Sequence, residues 1–354
     1  MEISEIHVDG YEKVLRGRDA SSGLHALIAV HDTSLGPALG GLRMLPYVSE
    51  DEALFDVLRL ARGMTYKSAV AETGLGGGKA VVIGDPVRSK SEALFRAMGR
   101  FVEHLGGLYI TAADMNIGDT ELAAVRRETR WVAGLTGVPK SSGNPSPYTA
   151  LGCIEGYRAL LEELFGDDRF EGRHFVLHGV GAVGGRMAEL LRARGARVTV
   201  CDVDPLRVAR LVDRYGCEAV GDAEHLDVEC DVYAPCARGA TLNDDTIPRL
   251  RCKGVGGCAN NQLLEPRHAE MLAQRGILYA PDYVINAGGV VNIAVELLPG
   301  GWDEQVSLQR IARIHDNLRR VFAIARERGI SPREAATRLA EERLAAGRAA
   351  RARR

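Results

Sequence analysis

The run His178-Gly179-Val180-Gly181-Ala182-Val183-Gly184 constrains this chain more than any other segment. It follows an apolar stretch, residues 175–177, that reads as a strand, and it opens a helix read over residues 183–194. Each glycine meets a separate steric demand. Gly179 makes the tight turn, Gly181 lets the backbone approach a pyrophosphate, and Gly184 lets helix pack closely on strand. The unpaired N–H groups at the helix start, with the helix dipole, then favour a phosphate. The next strand, residues 197–201, ends at Asp202, about 18 residues past the last glycine, where a carboxylate can accept hydrogen bonds from adenosine ribose hydroxyls. Strand, turn, helix and acid together predict a dinucleotide site built on Gly179, Val180, Gly181, Ala182, Val183, Gly184 and Asp202. A carboxylate there repels a 2′-phosphate, which favours NAD over NADP, although Arg207 close by keeps NADP open.

The same alternation continues through a helix at 205–215, strands at 231–234 and 254–258, a helix at 266–275 and a strand at 277–279. Such a pattern predicts an α/β fold with a doubly wound parallel sheet, covered on both faces. The earlier part of the chain reads differently. A strand at 24–31 is followed by a glycine-broken strand at 37–44, and Ser49 with Glu52 marks a helix start. Leu54, Val57, Leu58, Ala61 and Met64 recur at helical spacing, so this helix buries one face and delivers Lys67 at or just beyond its end. Four glycines in residues 74–78 lead into Lys79 and a strand at 80–83; a helix at 91–104 and a strand at 108–112 follow, ending near Asp114. A second, mixed α/β sheet is expected here.

A chain of 354 residues exceeds what one core usually holds, so two domains with a cleft between them are expected. The Ser-, Gly- and Pro-rich residues 141–148 mark the hinge. This division predicts a substrate-binding and oligomerisation domain over residues 1–140, joined by a C-terminal helix over 330–354, and a nucleotide-binding domain over 141–329.

Composition excludes other classes. The net charge of −2 gives no general field for nucleic acid, and the basic run at 348–354 reads as a solvated tail. No stretch approaches the roughly 20 apolar residues that span a bilayer, and the first residues lack a signal-peptide pattern, so the expectation is a cytoplasmic protein without membrane contact. The seven cysteines show no zinc or dithiol spacing, so reduced, packed thiols and no metal site are expected.

Only six of the 45 basic residues are Lys, and two of them, Lys67 and Lys79, fall in one apolar, glycine-rich segment. Arg keeps its proton in a protein, whereas a buried Lys can lose it. A nicotinamide that accepts a hydride needs a substrate held with its Cα hydrogen facing the ring and a base for the accompanying proton. An amino acid also needs a cation for its carboxylate. Lys67 and Lys79 suit those roles, with Asp114 as acid or relay; two surface lysines without such a role are the other reading of the same residues. For Lys79 to serve as a base, its pKa must fall from about 10.4 to near 7, and burial, a second lysine and the charged nicotinamide all push that way.

The runs HDTSLGPALGGLRM (31–44), RGMTYKSA (62–69), GLGGGKAVVIGDP (74–86), SSGNPSPYTALG (141–152), YAPCA (233–237), ANNQL (259–263) and YAPDYVINAGGVVN (279–292) resemble those of the leucine, valine, phenylalanine and tryptophan dehydrogenases, in family order and over nearly the whole chain. The resemblance implies NAD-dependent, reversible oxidative deamination of an apolar L-amino acid to a 2-oxo acid and ammonia. It implies Lys79 as general acid/base, Asp114 in proton transfer, and Lys67 with Asn261 on the substrate carboxylate. It implies Thr149, Cys236, Ala237, Asn260 and Asn286 on the nicotinamide side. Leu39, Gly40, Met64, Ala112, Val290 and Ile293 are implied to line the substrate site, which would leave a charged side chain desolvated without a partner. Homo-oligomers, dimers or octamers, are implied as well. Two departures bear on specificity: Met115-Asn116-Ile117 after Asp114 is closer to the phenylalanine and tryptophan enzymes, and Leu42 stands where many relatives have Thr. Ala112 matches an Ala of the leucine enzymes, and its methyl narrows the pocket. Branched aliphatic substrates are therefore favoured, with a phenylalanine or tryptophan dehydrogenase, or a non-catalytic NAD-binding sensor, as the alternatives.

Overall fold

In the computed structural model, residues 1–353 are described. The chain divides into two compact units: Met1–Asn144 with Ile293–Asp303 and Ala340–Arg354, and Pro145–Asn292 with Glu304–Leu339.

The first unit is built on β1 (Glu2–Glu5), β2 (Lys13–Asp19), β3 (Leu24–Asp32), β4 (Ala38–Leu45), α1 (Glu50–Val70), β5 (Gly76–Ile83), α2 (Glu92–Glu103), β6 (Tyr109–Ala113) and α3 (Asp119–Arg126). Its strands form one sheet in the order β1-β2-β3-β5-β4-β6. The three ribbons from β1 to β5 are antiparallel, whereas β4 runs parallel to both β5 and β6. One face packs Val14, Leu27, Ala29 and Val81 against Ala53, Val57 and Ala61 of α1. The other packs Leu42, Met44, Ala80 and Val82 against Phe95, Met98 and Phe101 of α2 and Leu122 and Val125 of α3. A strand covered on both faces reads as a nearly continuous apolar run, which is how β4 and β5 read.

Helix α1 starts where the sequence marks it. Ser49 Oγ accepts the N–H of Glu52 at 3.1 Å, and Glu52 returns its carboxylate to the N–H of Val48 at 2.7 Å, one residue earlier than a standard capping box. The helix runs on to Val70, so Lys67 sits inside its last turn instead of beyond it. The expected glycine break in β4 is absent because Gly40 and Gly41 serve close approach: a Cβ on Gly40 would collide with the carbonyl oxygen of Gly78. The glycines before Lys79 likewise belong mostly to β5, where a Cβ on Gly77 would collide with Thr65 of α1.

The second unit carries α4 (Ser146–Phe165), β7 (His174–His178), α5 (Ala182–Arg192), β8 (Arg197–Cys201), α6 (Pro205–Tyr215), β9 (Glu218–Ala219), β10 (Val232–Pro235), β11 (Gly254–Val255), α7 (His268–Gln274), β12 (Leu278–Tyr279) and α8 (Asp282–Ile285). Three further helices follow or close the chain: α9 (Gly288–Glu296), α10 (Glu304–Arg328) and α11 (Pro332–Ala352). All strand pairs here are parallel, in the order β12-β11-β10-β7-β8-β9. The chain winds outward from β7 to β9, returns beside β7 as β10, and winds outward again to β12. This is a Rossmann-type doubly wound sheet, and its order reverses between β7 and β10, where such folds take their ligands.

The basic run at the C-terminus is exposed as expected, and it also contacts the fold. Residues 348–352 end the helix, where Arg348 Nη2 lies 2.9 Å from Asp32 Oδ2 and Arg351 Nη1 donates to Thr33 Oγ1 at 2.9 Å. Net composition could not reveal partners more than 300 positions upstream.

Candidate active site

Strand pairing sets out the chemistry of the first unit. Residues 39 and 42 of β4 pair with 77 and 80 of β5, which puts Lys79 abreast of Gly41, and Leu42 pairs with Ala113, which puts Asp114 abreast of Arg43. Side chains two apart share a face of a sheet, so Gly41 leaves a gap beside Arg43 on the face that α1 covers. Into that gap Lys79 and Asp114 extend. Lys79 Nζ and Arg43 Nε both donate to the same carboxylate oxygen, Oδ2 of Asp114, each at 2.8 Å. Arg43 Nη1 continues to Asp56 Oδ2 of α1 at 3.0 Å, and the hydroxyl of Tyr47 donates to that oxygen at 2.8 Å.

Burial makes this cluster chemically unusual. Lys79 is only 5% exposed, and loss of water pushes its amine below the ordinary lysine range; the Asp114 carboxylate opposes the fall and the Arg43 charge adds to it. Burial by itself raises the carboxyl of Asp114, but the facing Lys79 and Arg43 charges outweigh it and hold it below the usual carboxylate range. Burial likewise works against Arg43, and Asp114 with Asp56 more than restores its cation. The result is an amine that can be neutral beside a carboxylate that stays ionised, which suits proton transfer at a reacting carbon.

The other residues singled out in this unit are placed as follows. Lys67 is half-buried in the last turn of α1, with Met64 one turn earlier. Leu39 and Gly40 are buried in β4, and Ala112 in β6 pairs with Gly41, two residues before Asp114. Ile293 on α9 approaches Gly134, and one turn on, Glu296 Oε2 gathers the N–H groups of Gly134 and Ser142 at 2.9 and 2.8 Å. Sequence reasoning missed Arg43, Asp56 and Tyr47. The alternation Gly41, Leu42, Arg43 toward Asp114 carried that signal, once β4 is known to lie between β5 and β6.

The second unit holds the glycine turn at the switch point. Gly179 has φ +101°, and a Cβ there would fall 2.5 Å from the backbone nitrogen of Ala237, just past β10, so only glycine fits. A Cβ on Gly184 would collide with the carbonyl oxygen of Gly179. The turn therefore brings Gly179, Gly184, Cys236 and Ala237 together. Gly181 caps α5 with no side-chain partner for the N–H groups of its first turn, in which Ala182, Val183 and Gly184 stand. Asp202 is fixed by its own backbone contacts: Oδ2 accepts the N–H of Val180 at 2.7 Å and Oδ1 that of Asp204 at 2.9 Å. Arg207 pairs with Asp204 at 3.1 Å. Asn286 Nδ2 donates to Asn260 Oδ1 at 2.8 Å, and Asn261 adopts φ +51° next to it. Thr149 Oγ1 donates to Pro145 O at 3.0 Å on α4 and faces Gly289, beside Val290 on α9. Each of these features leaves room or donors for a dinucleotide: the turn excludes a Cβ, the helix start offers N–H groups, and the Asp202 carboxylate stands oriented.

His178, Asp222 and His225 also meet, with nitrogen and oxygen atoms within 4.8 Å of one another. The two imidazoles stack at 4.1 Å with 16° between planes, so their in-plane lone pairs run side by side and do not converge. Burial, then His178, pushes His225 down to about 4, and burial lowers His178 as well, which leaves a neutral stack.

A turn that admits a pyrophosphate and an amine that can shed its proton under cover are the requirements of a nicotinamide-dependent dehydrogenase, and fold and chemistry assign the chain to that class. The sequence model described as Glu/Leu/Phe/Val dehydrogenase, dimerisation domain, matches residues 12–131, and that of Glutamate/Leucine/Phenylalanine/Valine dehydrogenase matches residues 202–352. The chain is 50% identical to a leucine dehydrogenase of Thermoactinomyces intermedius over 94% of its own length and 91% of the relative's. It is 48% identical to a valine dehydrogenase of Streptomyces albus over 97% of its length and 94% of the relative's. Among solved structures, the L-tryptophan dehydrogenase of Nostoc punctiforme superposes with a TM-score of 0.85 at 41% identity, covering 96% of both chains. The chain belongs to the Glu/Leu/Phe/Val dehydrogenase family and is an amino acid dehydrogenase.

Proposed function

We propose that the chain catalyses reversible, NAD-dependent oxidative deamination of apolar L-amino acids, with leucine, valine and isoleucine foremost. The observation that carries this reading is the buried Lys79 amine, 2.8 Å from Asp114. A nicotinamide held by the glycine turn would supply the acceptor for the hydride of the substrate Cα. Lys67, with Asn261, holds the substrate carboxylate. The amino group reacts neutral, so that hydride loss leaves a C=N iminium; water adds at that carbon, and Lys79 takes the proton the water releases. Lys79 then returns that proton to the nitrogen by way of Asp114, and as the C–N bond breaks the new hydroxyl gives its own proton back to Lys79 and becomes C=O, so that ammonia and a 2-oxo acid leave. Leu39, Gly40, Met64, Ala112, Val290 and Ile293 surround the substrate side chain. Thr149, Cys236, Ala237, Asn260 and Asn286 attend the nicotinamide, and residues 179–184 with Asp202 hold the rest of the cofactor.

The choice of NAD over NADP rests on the Asp202 carboxylate, anchored by the N–H groups of Val180 and Asp204. In this reading residues 1–140, with the C-terminal helix, bind substrate and form a homo-oligomer, and residues 141–329 bind the nucleotide. A cytoplasmic setting is supported by the seven free cysteines, which suit a reducing compartment. No helix among the described residues is long and apolar enough to cross a membrane.

A second reading, with an aromatic substrate, is favoured by Met115-Asn116-Ile117, where Asn116 takes φ +62° and donates to Met44 O at 3.0 Å. Initial rates of NADH formation over a panel of apolar and aromatic L-amino acids separate the two. Leucine and valine are expected to lead; a preference for phenylalanine or tryptophan above about tenfold supports the aromatic reading instead. The same panel run with NADP tests the cofactor.

A further inference from the structure

Arg43 lies outside every role assigned so far, yet it joins both carboxylates of the site, Asp114 and Asp56. It is largely buried on β4, it touches the oxygen of Asp114 that Lys79 also touches, and its far end is held by Asp56 on α1. Asp56 in turn takes a hydrogen bond from Tyr47 and an ion pair from Arg59 at 3.2 Å. The guanidinium is therefore braced from both ends, with Nε toward Asp114 and Nη1 toward Asp56, and a planar group so held cannot swing away.

We propose that Arg43 is a positioning residue for proton transfer: by sharing Oδ2 of Asp114 with Lys79, it fixes the carboxylate edge and divides its charge, so that the Lys79 amine is free to be unprotonated. The proposal rests on the reading of Lys79 as the acid/base.

The geometry excludes the simpler arrangement, an isolated Lys–Asp pair. A buried ammonium and carboxylate left alone stabilise each other's charged forms, and the lysine then holds its proton. A second cation on the same oxygen competes for it. The charged groups facing Lys79 are few. Asp114 reaches it from the end of β6, Arg43 from β4 and Asp56 from α1, while β3 presents the uncharged Ala29 opposite it. Of these, Arg43 alone is a cation, and its charge works in the same direction as burial on the Lys79 amine. When the Lys79 amine is neutral, the Asp114 carboxylate still faces the Arg43 cation and so keeps its own charge. Arg43 thus serves both partners, keeping the acid ionised and the amine labile, through contacts to Asp114 and Asp56.

The test reads the protonation of Lys79 directly, in the full-length protein. Competitive acylation with acetic anhydride across a pH series, followed by mass spectrometry of the peptide containing Lys79, gives the midpoint at which the amine becomes reactive. In Arg43→Gln, and in Arg43→Met as a second variant should the first fold poorly, the midpoint is expected to rise by about one pH unit or more. The acid limb of the kcat/KM profile should rise with it. Arg43→Lys, which restores a cation near Asp114, should return the midpoint to within about half a unit of the wild type. A midpoint that stays in place in the charge-removing variants, whatever the loss of turnover, overturns the proposal and leaves Arg43 a packing residue. The reading beneath it is judged separately: Lys79→Ala turning over at close to the normal rate removes Lys79 as acid/base, while the labelling midpoints of the Arg43 variants still report whether Arg43 sets the charge of that amine.

Discussion

Gly41 faces Asp114 so closely that a methyl group on its Cα would stand 2.6 Å from the Cβ of the acid and 3.3 Å from Lys79 Nζ. The missing side chain is what lets a lysine from β5 and an acid beyond β6 meet across β4. Gly41→Ala must therefore push Asp114 or Lys79 aside, and displacement near 1 Å at a proton-transfer site costs about a hundredfold in rate. We expect kcat to fall by about that factor while NADH binding, followed by fluorescence titration, is unchanged, because the nucleotide turn is elsewhere in the chain. A variant within about threefold of normal kcat would show that the gap is not needed.

The anchoring of Asp202 leads to a prediction about cofactor choice. Both of its oxygens already accept backbone N–H groups, at 2.7 Å from Val180 and 2.9 Å from Asp204, so the carboxylate cannot turn away from an incoming phosphate. In Asp202→Asn the charge is gone and one of the two N–H groups loses its acceptor. The ratio of kcat/KM for NAD to that for NADP should fall by tenfold or more, about 1.4 kcal/mol. An unaltered ratio would place the discrimination on other groups.

What could be read without coordinates follows a physical divide. The glycine turn, β8 and α6 were legible because local sterics set them: Gly179, Gly181 and Gly184 answer demands made within one strand–turn–helix unit. Lys79 and Asp114 were legible through residue type and resemblance. By contrast, β2 escaped notice because its Arg16 and Arg18 look like surface charge; they are matched by Glu50 at the start of α1, more than 30 residues away. Arg43 escaped for a related reason. Its meaning lies in the strand order β5-β4-β6, which no local pattern states. The strand read over 254–258 is only two residues long, Gly254–Val255, although the backbone past it still bonds to the neighbouring strand, from Gly256 N–H to Tyr233 O at 3.1 Å.

That hidden match at Glu50 has a pH signature. Its carboxylate receives Arg16, Arg18 and His25, and the Arg16 hydrogen bond is the largest reason it is held down at about 2. A carboxylate depressed in the folded state stabilises the fold above its unfolded pKa, about 4.3, and that contribution disappears as pH falls through the folded value. The urea midpoint of Glu50→Gln should therefore lie below that of the wild type above about pH 5, with the gap closing toward pH 2. A gap of constant size across that range would mean that the loss comes from packing and not from charge.

The C-terminal helix makes the last prediction. Arg343 Nη1 donates to the carbonyl oxygens of Val70 at 2.6 Å and Ala69 at 3.2 Å, and its Nη2 pairs with Glu72 at 3.2 Å. The last carbonyls of a helix have no partner within it, so Arg343 closes the end of α1, the turn that carries Lys67. Arg343→Met should leave the Val70 carbonyl to water, with Ala69 held only by the Glu72 N–H, and let that turn fray, a loss of about 1–3 kcal/mol of local order. If Lys67 holds the substrate carboxylate, the effect falls on binding: KM for the amino acid is expected to rise by about tenfold with kcat changed less, and KM for NAD should stay the same. Ending the chain after Leu339 removes Arg348 and Arg351 as well and should add a drop in thermal midpoint, because Asp32 and Thr33 lose their partners. Steady-state kinetics on both variants decide the matter. An amino acid KM that holds within about twofold in Arg343→Met would show that α1 keeps Lys67 in place without help from the C-terminus.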